Sequence, residues 1–284
     1  MKTMIFLSAI VGAILSAQPV EVSLWTDEFP QPDKIEDKED AKIFIHHPVN
    51  PNGTAAIICP GGGYRGQVMG AEGHGIAEWL GKYGITGIVL KYRLPKGRSF
   101  VPLADAQRAV RLARHHAQEW KTHPSKVGIV GFSAGGHLAS TTATHFPKAG
   151  GPPAKNPFDR ISCSPDFAIL VYPVVTMGEF THTGSKRNLL GENPDQKWID
   201  HFSNEKRVTK ETPPIFMAHA VDDRPVPPEN SRMLYAALQK KNIPSKYMEL
   251  PDGGHGLNGY KGQSWNAWQK GSIQWLLEIG ILSK

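Results

Sequence analysis

Cysteine is almost absent from this chain, with two in 284 residues. Two thiols cannot build a disulfide framework. No Cys/His cluster carries zinc-ligand spacing, so no structural metal is expected. Charge of one sign is also scarce: 32 Lys and Arg stand against 26 Asp and Glu, a net +6. The densest basic run, Arg108 to Arg114, falls on a helical pattern and reads as a solvated face. No basic stripe is interleaved with aromatics, which argues against nucleic-acid binding. Internal repeats are lacking. Long apolar runs are lacking too. The longest, Met4 to Leu15, is broken by Ser8 and Gly12 and is too short for a membrane span.

That apolar run has another reading. Met1-Lys2 is a short positive start, and Ser16-Ala17 precedes the polar Gln18. This is the pattern of a secretory signal peptide over residues 1–17, and it predicts export to the periplasm or beyond. Residues 18–40 are acidic and contain Pro30 and Pro32, and they read as an extended N-terminal arm. The remaining 41–284 suit one α/β domain: 40% hydrophobic and 20% charged residues allow a sizeable core. Strands are predicted at Lys42 to His46, Thr54 to Cys59, Ile85 to Leu90, Val127 to Val130, Phe167 to Tyr172, Pro214 to Ala220 and Ser245 to Leu250. Helical patterns separate them, at Ala71 to Lys82, Val101 to Thr122, Leu138 to Thr144, Asn230 to Lys241 and Trp265 to Leu282. Strands alternating with helices predict a mostly parallel sheet covered on both faces. Residues 176–212 are polar with weak periodicity and read as an insertion able to cover a site.

The chemistry-bearing stretch follows the strand at Val127. Gly131-Phe132-Ser133-Ala134-Gly135 is a Gly-x-Ser-x-Gly pentapeptide between a strand and a helix, the context of a nucleophile elbow. A serine hydroxyl needs a base, and the base needs a carboxylate to orient it. Both occur later, each in a loop after a strand. Asp222-Asp223 follows Ala220, and Gly253-Gly254-His255-Gly256 follows Leu250. The order serine, acid, histidine is that of elbow-type hydrolases. His115 and His116 precede the serine and fall in the wrong order; His137 lies one turn after it and is expected to pack locally.

Together the elbow, the Pro60-Gly61-Gly62-Gly63-Tyr64 loop, Asp222-Asp223-x-x-Val226-Pro227 and Gly253-Gly254-His255-Gly256 resemble an α/β-hydrolase. They most resemble the acetyl xylan esterase and feruloyl esterase branch, near the hormone-sensitive-lipase-like esterases. The resemblance covers about residues 40 to 284. It implies a serine esterase acting on short acyl groups carried by plant or algal polysaccharide, with no cofactor and no metal. It also implies that, in His219-x-x-x-Asp223-x-x-Val226-Pro227, Asp223 is the acid, with Asp222 bonding the loop backbone. The family's oxyanion loop begins with histidine; here Pro60 stands in its place, and the amides of Gly62, Gly63 and Ala134 remain as donors. Tyr64 and Arg65 are expected to line the substrate mouth. The family's strand order would set the strands ending at Cys59 and starting at Phe167 on either side of the nucleophile strand, too far apart for a Cys59–Cys163 disulfide.

Gly61 to Gly66 also spells G-x-G-x-x-G after a strand, the dinucleotide fingerprint. That reading needs an acidic residue at the end of the next strand, where this chain has Lys91-Tyr92-Arg93, and it leaves Ser133, Asp223 and His255 without a role.

Overall fold

The computed structural model describes residues 18–26, 40–147 and 157–283; the proposed signal peptide and most of the proposed arm lie outside them. Among the described residues eight strands form one sheet: β1 (Val20–Ser23), β2 (Lys42–His46), β3 (Gly53–Cys59), β4 (Thr86–Lys91), β5 (Thr122–Phe132), β6 (Ala168–Val171), β7 (Ile215–Ala220) and β8 (Ser245–Leu250). Their spatial order is β1-β2-β4-β3-β5-β6-β7-β8. The first two run antiparallel to their neighbours and the rest are parallel. β5, which ends at the serine, lies inside the sheet between β3 and β6.

Among the described residues there are eight α-helices: α1 (Gly75–Gly81), α2 (Phe100–His115), α3 (Ser133–Thr144), α4 (Thr183–Leu190), α5 (Gln196–His201), α6 (Glu229–Lys240), α7 (Leu257–Tyr260) and α8 (Gly262–Glu278). Successive strand residues point to opposite faces, so β5 feeds two cores. Val127 and Ile129 pack with Ala109, Leu138 and Leu234 of α2, α3 and α6. Val130 and Phe132 pack with Ile76 of α1 and Trp268 and Leu276 of α8. Among the described residues, no helix is long and apolar enough to cross a membrane.

Three sequence expectations change in detail. Val20–Ser23 of the N-terminal arm is an edge strand, zipped antiparallel to β2, with Leu24 buried behind it. The long helix ends at His115 rather than Thr122: His116 leaves helical geometry (φ −91°, ψ 17°), and Thr122 already pairs with Gly53 of β3. The weakly periodic 176–212 segment contains two helices, α4 and α5. Cys59 and Cys163 are buried free thiols, Cys59 at the end of β3 and Cys163 ahead of β6.

Candidate active site

β5 delivers Phe132 in extended geometry, and Ser133 then turns to φ +52° as the first residue of α3. A non-glycine residue in that region is strained. The strain is possible because the flanking glycines leave room. A Cβ on Gly131 would lie 2.3 Å from the Gly135 carbonyl oxygen, and one on Gly135 would lie 2.1 Å from that of Cys59. Helix, strand and elbow can close on one another only without those carbons.

Ser133 Oγ lies 2.8 Å from His255 Nε2, and His255 Nδ1 lies 2.7 Å from Asp223 Oδ2. With the Nδ1 proton donated to the carboxylate, Nε2 is left to accept from the serine hydroxyl. Asp223 follows β7 and is buried. Its Oδ1 accepts the Val226 N–H at 3.0 Å, and the buried His219 ring brings Nε2 to 3.2 Å from Oδ2. Burial would raise the carboxyl, but the bonds from His219 and His255 outweigh it and bring it down to about 2. His219 is itself fixed between Ser231 Oγ and the Val226 carbonyl. Asp222 instead accepts the amides of Gly254, at 2.8 Å, and Gly253, which sets the loop carrying His255. The Tyr172 ring meets His255 edge-on, with centroids 5.0 Å apart.

The glycine loop after β3 supplies the opposite wall. Gly61 N–H is committed to Glu72 Oε2 at 2.7 Å. Gly62 (φ +133°) has its carbonyl capped by the amides of Arg65 and Gly66, and a Cβ there would sit 2.3 Å from the Gly66 oxygen. The N–H groups of Gly62 and Gly63 donate to no described residue. Ala134, second residue of α3, has an amide in the first turn, where no intrahelical acceptor exists. The insertion leans on this loop. Asn188 of α4 donates to the Gly63 carbonyl at 2.8 Å, and the His182 ring lies 3.7 Å from where a Cβ on Gly63 would be. His182 Nδ1 accepts from Ser185 N–H, which leaves Nε2–H as the free edge.

Tyr64 does not line the mouth. Gly63 and Tyr64 are both left-handed (φ 64° and 58°), which turns the ring inward, where it is 2% exposed. Its hydroxyl pairs with His137 Nδ1 at 2.9 Å, and His137 Nε2 reaches the Phe202 carbonyl at 2.8 Å. Arg65 is exposed on the same loop, and its side chain bonds to no described residue. Glu72, Tyr172, His182 and Asn188 were not singled out by the sequence. A signal existed for Glu72 alone: helical spacing puts it on one face with Ile76 and Leu80.

A cavity of about 370 Å³, lined by Arg98, Phe100, Leu190 and Trp198, contains none of Ser133, Asp223 and His255. Among the described residues, no group of three or more His, Cys, Asp or Glu could hold a metal ion.

A nucleophile elbow on a mostly parallel sheet, followed in order by an aspartate and a histidine on strand-end loops, defines an α/β-hydrolase. More narrowly, the chain belongs to the BD-FAE family, whose model matches residues 42–238. It is 34% identical over 251 residues to an acetylxylan esterase of Xylanibacter ruminicola, an alignment covering 87% of this chain and 48% of that protein. It is 37% identical over 220 residues to endo-1,4-beta-xylanase B of Butyrivibrio fibrisolvens, covering 76% of this chain and 34% of that one. The chain thus spans half or less of the length of these curated relatives. Among solved structures, the acetyl ester-xyloside bifunctional hydrolase from Caldicellulosiruptor lactoaceticus superposes with a TM-score of 0.87 at 35% identity. That match covers 95% of this chain and all of the other.

Proposed function

We propose that this chain is a serine esterase that removes acetyl groups, and flat aromatic acyl groups such as feruloyl, from xylan or similar polysaccharide. One observation carries the reading: Ser133, His255 and Asp223 form an unbroken hydrogen-bonded line beside three unengaged backbone amides. In this reading Ser133 Oγ attacks the ester carbonyl carbon, and its proton passes to His255 Nε2. The resulting imidazolium is held by Asp223, which stays ionised throughout. The carbonyl oxygen becomes an oxyanion and accepts from the amides of Gly62, Gly63 and Ala134. The C–O bond to the sugar then breaks, and His255 returns the proton to the departing sugar oxygen. Water attacks the acyl-serine by the same steps in reverse, releasing the acid.

The names of the relatives support an acylated xylan substrate. So does the polar mouth: Arg65 and the free edge of His182 offer donors to hydroxyl groups. The test is kcat/KM for an acetylated xylo-oligosaccharide against p-nitrophenyl laurate. The sugar ester is expected to win. If the laurate wins by about tenfold, roughly 1.4 kcal/mol of transition-state binding, the chain is a lipase instead.

A further inference from the structure

Beneath the oxyanion loop lies a second buried carboxylate that the acyl-transfer steps above do not use. Glu72 stands in a π-helical turn, Gly70–His74, that leads into α1, and is only 3% exposed. Such turns are rare and gather at functional sites. Oε2 accepts the Gly61 amide at 2.7 Å and Oε1 accepts the Tyr172 hydroxyl at 2.9 Å; the Tyr260 hydroxyl also bears on the carboxylate. All these donors are neutral. Among the described residues no Lys or Arg pairs with Glu72, and burial raises its carboxyl. An ionisable group without a cation partner is a poor way to stabilise a core.

Its two main partners are the two sides of the reaction centre. Gly61 is gripped between Glu72 and the nucleophile: a Cβ there would lie 2.7 Å from Glu72 Oε2, 2.8 Å from the Phe132 carbonyl oxygen and 2.9 Å from Ser133 Cβ. Fixing the Gly61 amide fixes the chain from which the Gly62 and Gly63 amides project. Tyr172 (φ 39°) follows β6, and its ring supports His255 edge-on. One carboxylate therefore ties the oxyanion donors to the base.

We propose that Glu72 is a positioning residue for ester hydrolysis, holding the oxyanion loop through Gly61 and the base through Tyr172. This rests on the reading of Ser133 as nucleophile. Loss of one oxyanion donor costs on the order of 10²–10³ in kcat, and misplacing a pair should cost about as much. Glu72→Ala is therefore expected to lower kcat roughly 100-fold while KM moves by less than about threefold. The rate of serine phosphorylation by a dialkyl p-nitrophenyl phosphate should fall in parallel, since its phosphoryl oxygen occupies the same hole. Glu72→Gln should recover kcat to within about tenfold of wild type, because its oxygen can accept from Gly61 while its amide donates to a rotated Tyr172 hydroxyl. If Glu72→Ala does not fold, Glu72→Asp serves: one methylene shorter, it cannot reach both partners, and kcat should fall by about tenfold at unchanged KM.

A folded Glu72→Ala enzyme with kcat within about threefold of wild type would overturn the proposal. So would a loss confined to KM, a Glu72→Gln enzyme as slow as Glu72→Ala, or a fully active Glu72→Asp. Ser133→Ala, assayed alongside, separates the two levels. If it retains wild-type activity, the nucleophile reading fails whatever Glu72 does. If it is dead while Glu72→Ala is fully active, only the role of Glu72 fails.

Discussion

The loop after β7 and the π turn after β3 each bury a carboxylate beside the reaction centre, and the two are driven in opposite directions. Burial raises both groups. Asp223 also receives bonds from two imidazoles and an amide, and ends low, at about 2. Glu72 receives an amide and phenol hydroxyls, and ends high. Burial acts on both, and the kind of donor, imidazole on one and phenol on the other, separates them. The chemistry divides along the same line. A group that must stabilise an imidazolium has to stay charged at every working pH. A group that only holds neutral N–H and O–H donors does not.

The strongest way to break this contrast is to neutralise Asp223. Asp223→Asn keeps the shape but turns an amide toward His255, which disfavours the required tautomer and leaves the imidazolium without a counter-charge. kcat is expected to fall on the order of 10⁴-fold, as in comparable triads. The same change at Asp222 removes only a loop brace, and should cost no more than about tenfold. Equal losses at the two positions would show that Asp223 has no special role.

Stability gives a smaller effect of opposite sign. Asp223 lies below its ordinary 3.8, so its contribution is present at neutral pH and is lost as pH falls through that value toward about 2. Glu72 lies above its ordinary 4.5, so its contribution is present below that value and is lost as pH rises through the folded one. By calorimetry at pH 7, Asp223→Asn should melt several degrees below wild type, with the gap narrowing toward about pH 3. Glu72→Gln should melt no lower than wild type at pH 7 and lose any advantage in acid. A Glu72→Gln protein that melts several degrees low at pH 7 would mean that the charge is a stabilising one, and the contrast would collapse.

Much of this site could be read in the sequence because its parts are local. The elbow is five consecutive residues after a β-branched run, and Asp223 and His255 each follow a strand directly. What the sequence hid depended on backbone turns and distant partners. Nothing in Gly63-Tyr64 announces two successive left-handed residues, yet those turn the tyrosine from the mouth into the core. The strand Val20–Ser23 is only four residues long and gains its identity from β2, across a segment of acidic chain. α4 escaped notice because its buried stripe is just Ser185 and Leu189. Glu72 was in register with Ile76 and Leu80, but a charged residue at the start of a helix reads as solvated until its partners, Gly61 and Tyr172, are seen to come from two other strands' ends.

The central claim is that Ser133 carries the acyl group. Rapid quenching of the enzyme during turnover of p-nitrophenyl acetate, followed by peptide mass spectrometry, tests it most directly. An acetyl group is expected on Ser133, together with a kcat loss on the order of 10⁶-fold in Ser133→Ala. An acetyl group on any other residue, or turnover by Ser133→Ala at near the wild-type rate, would contradict it.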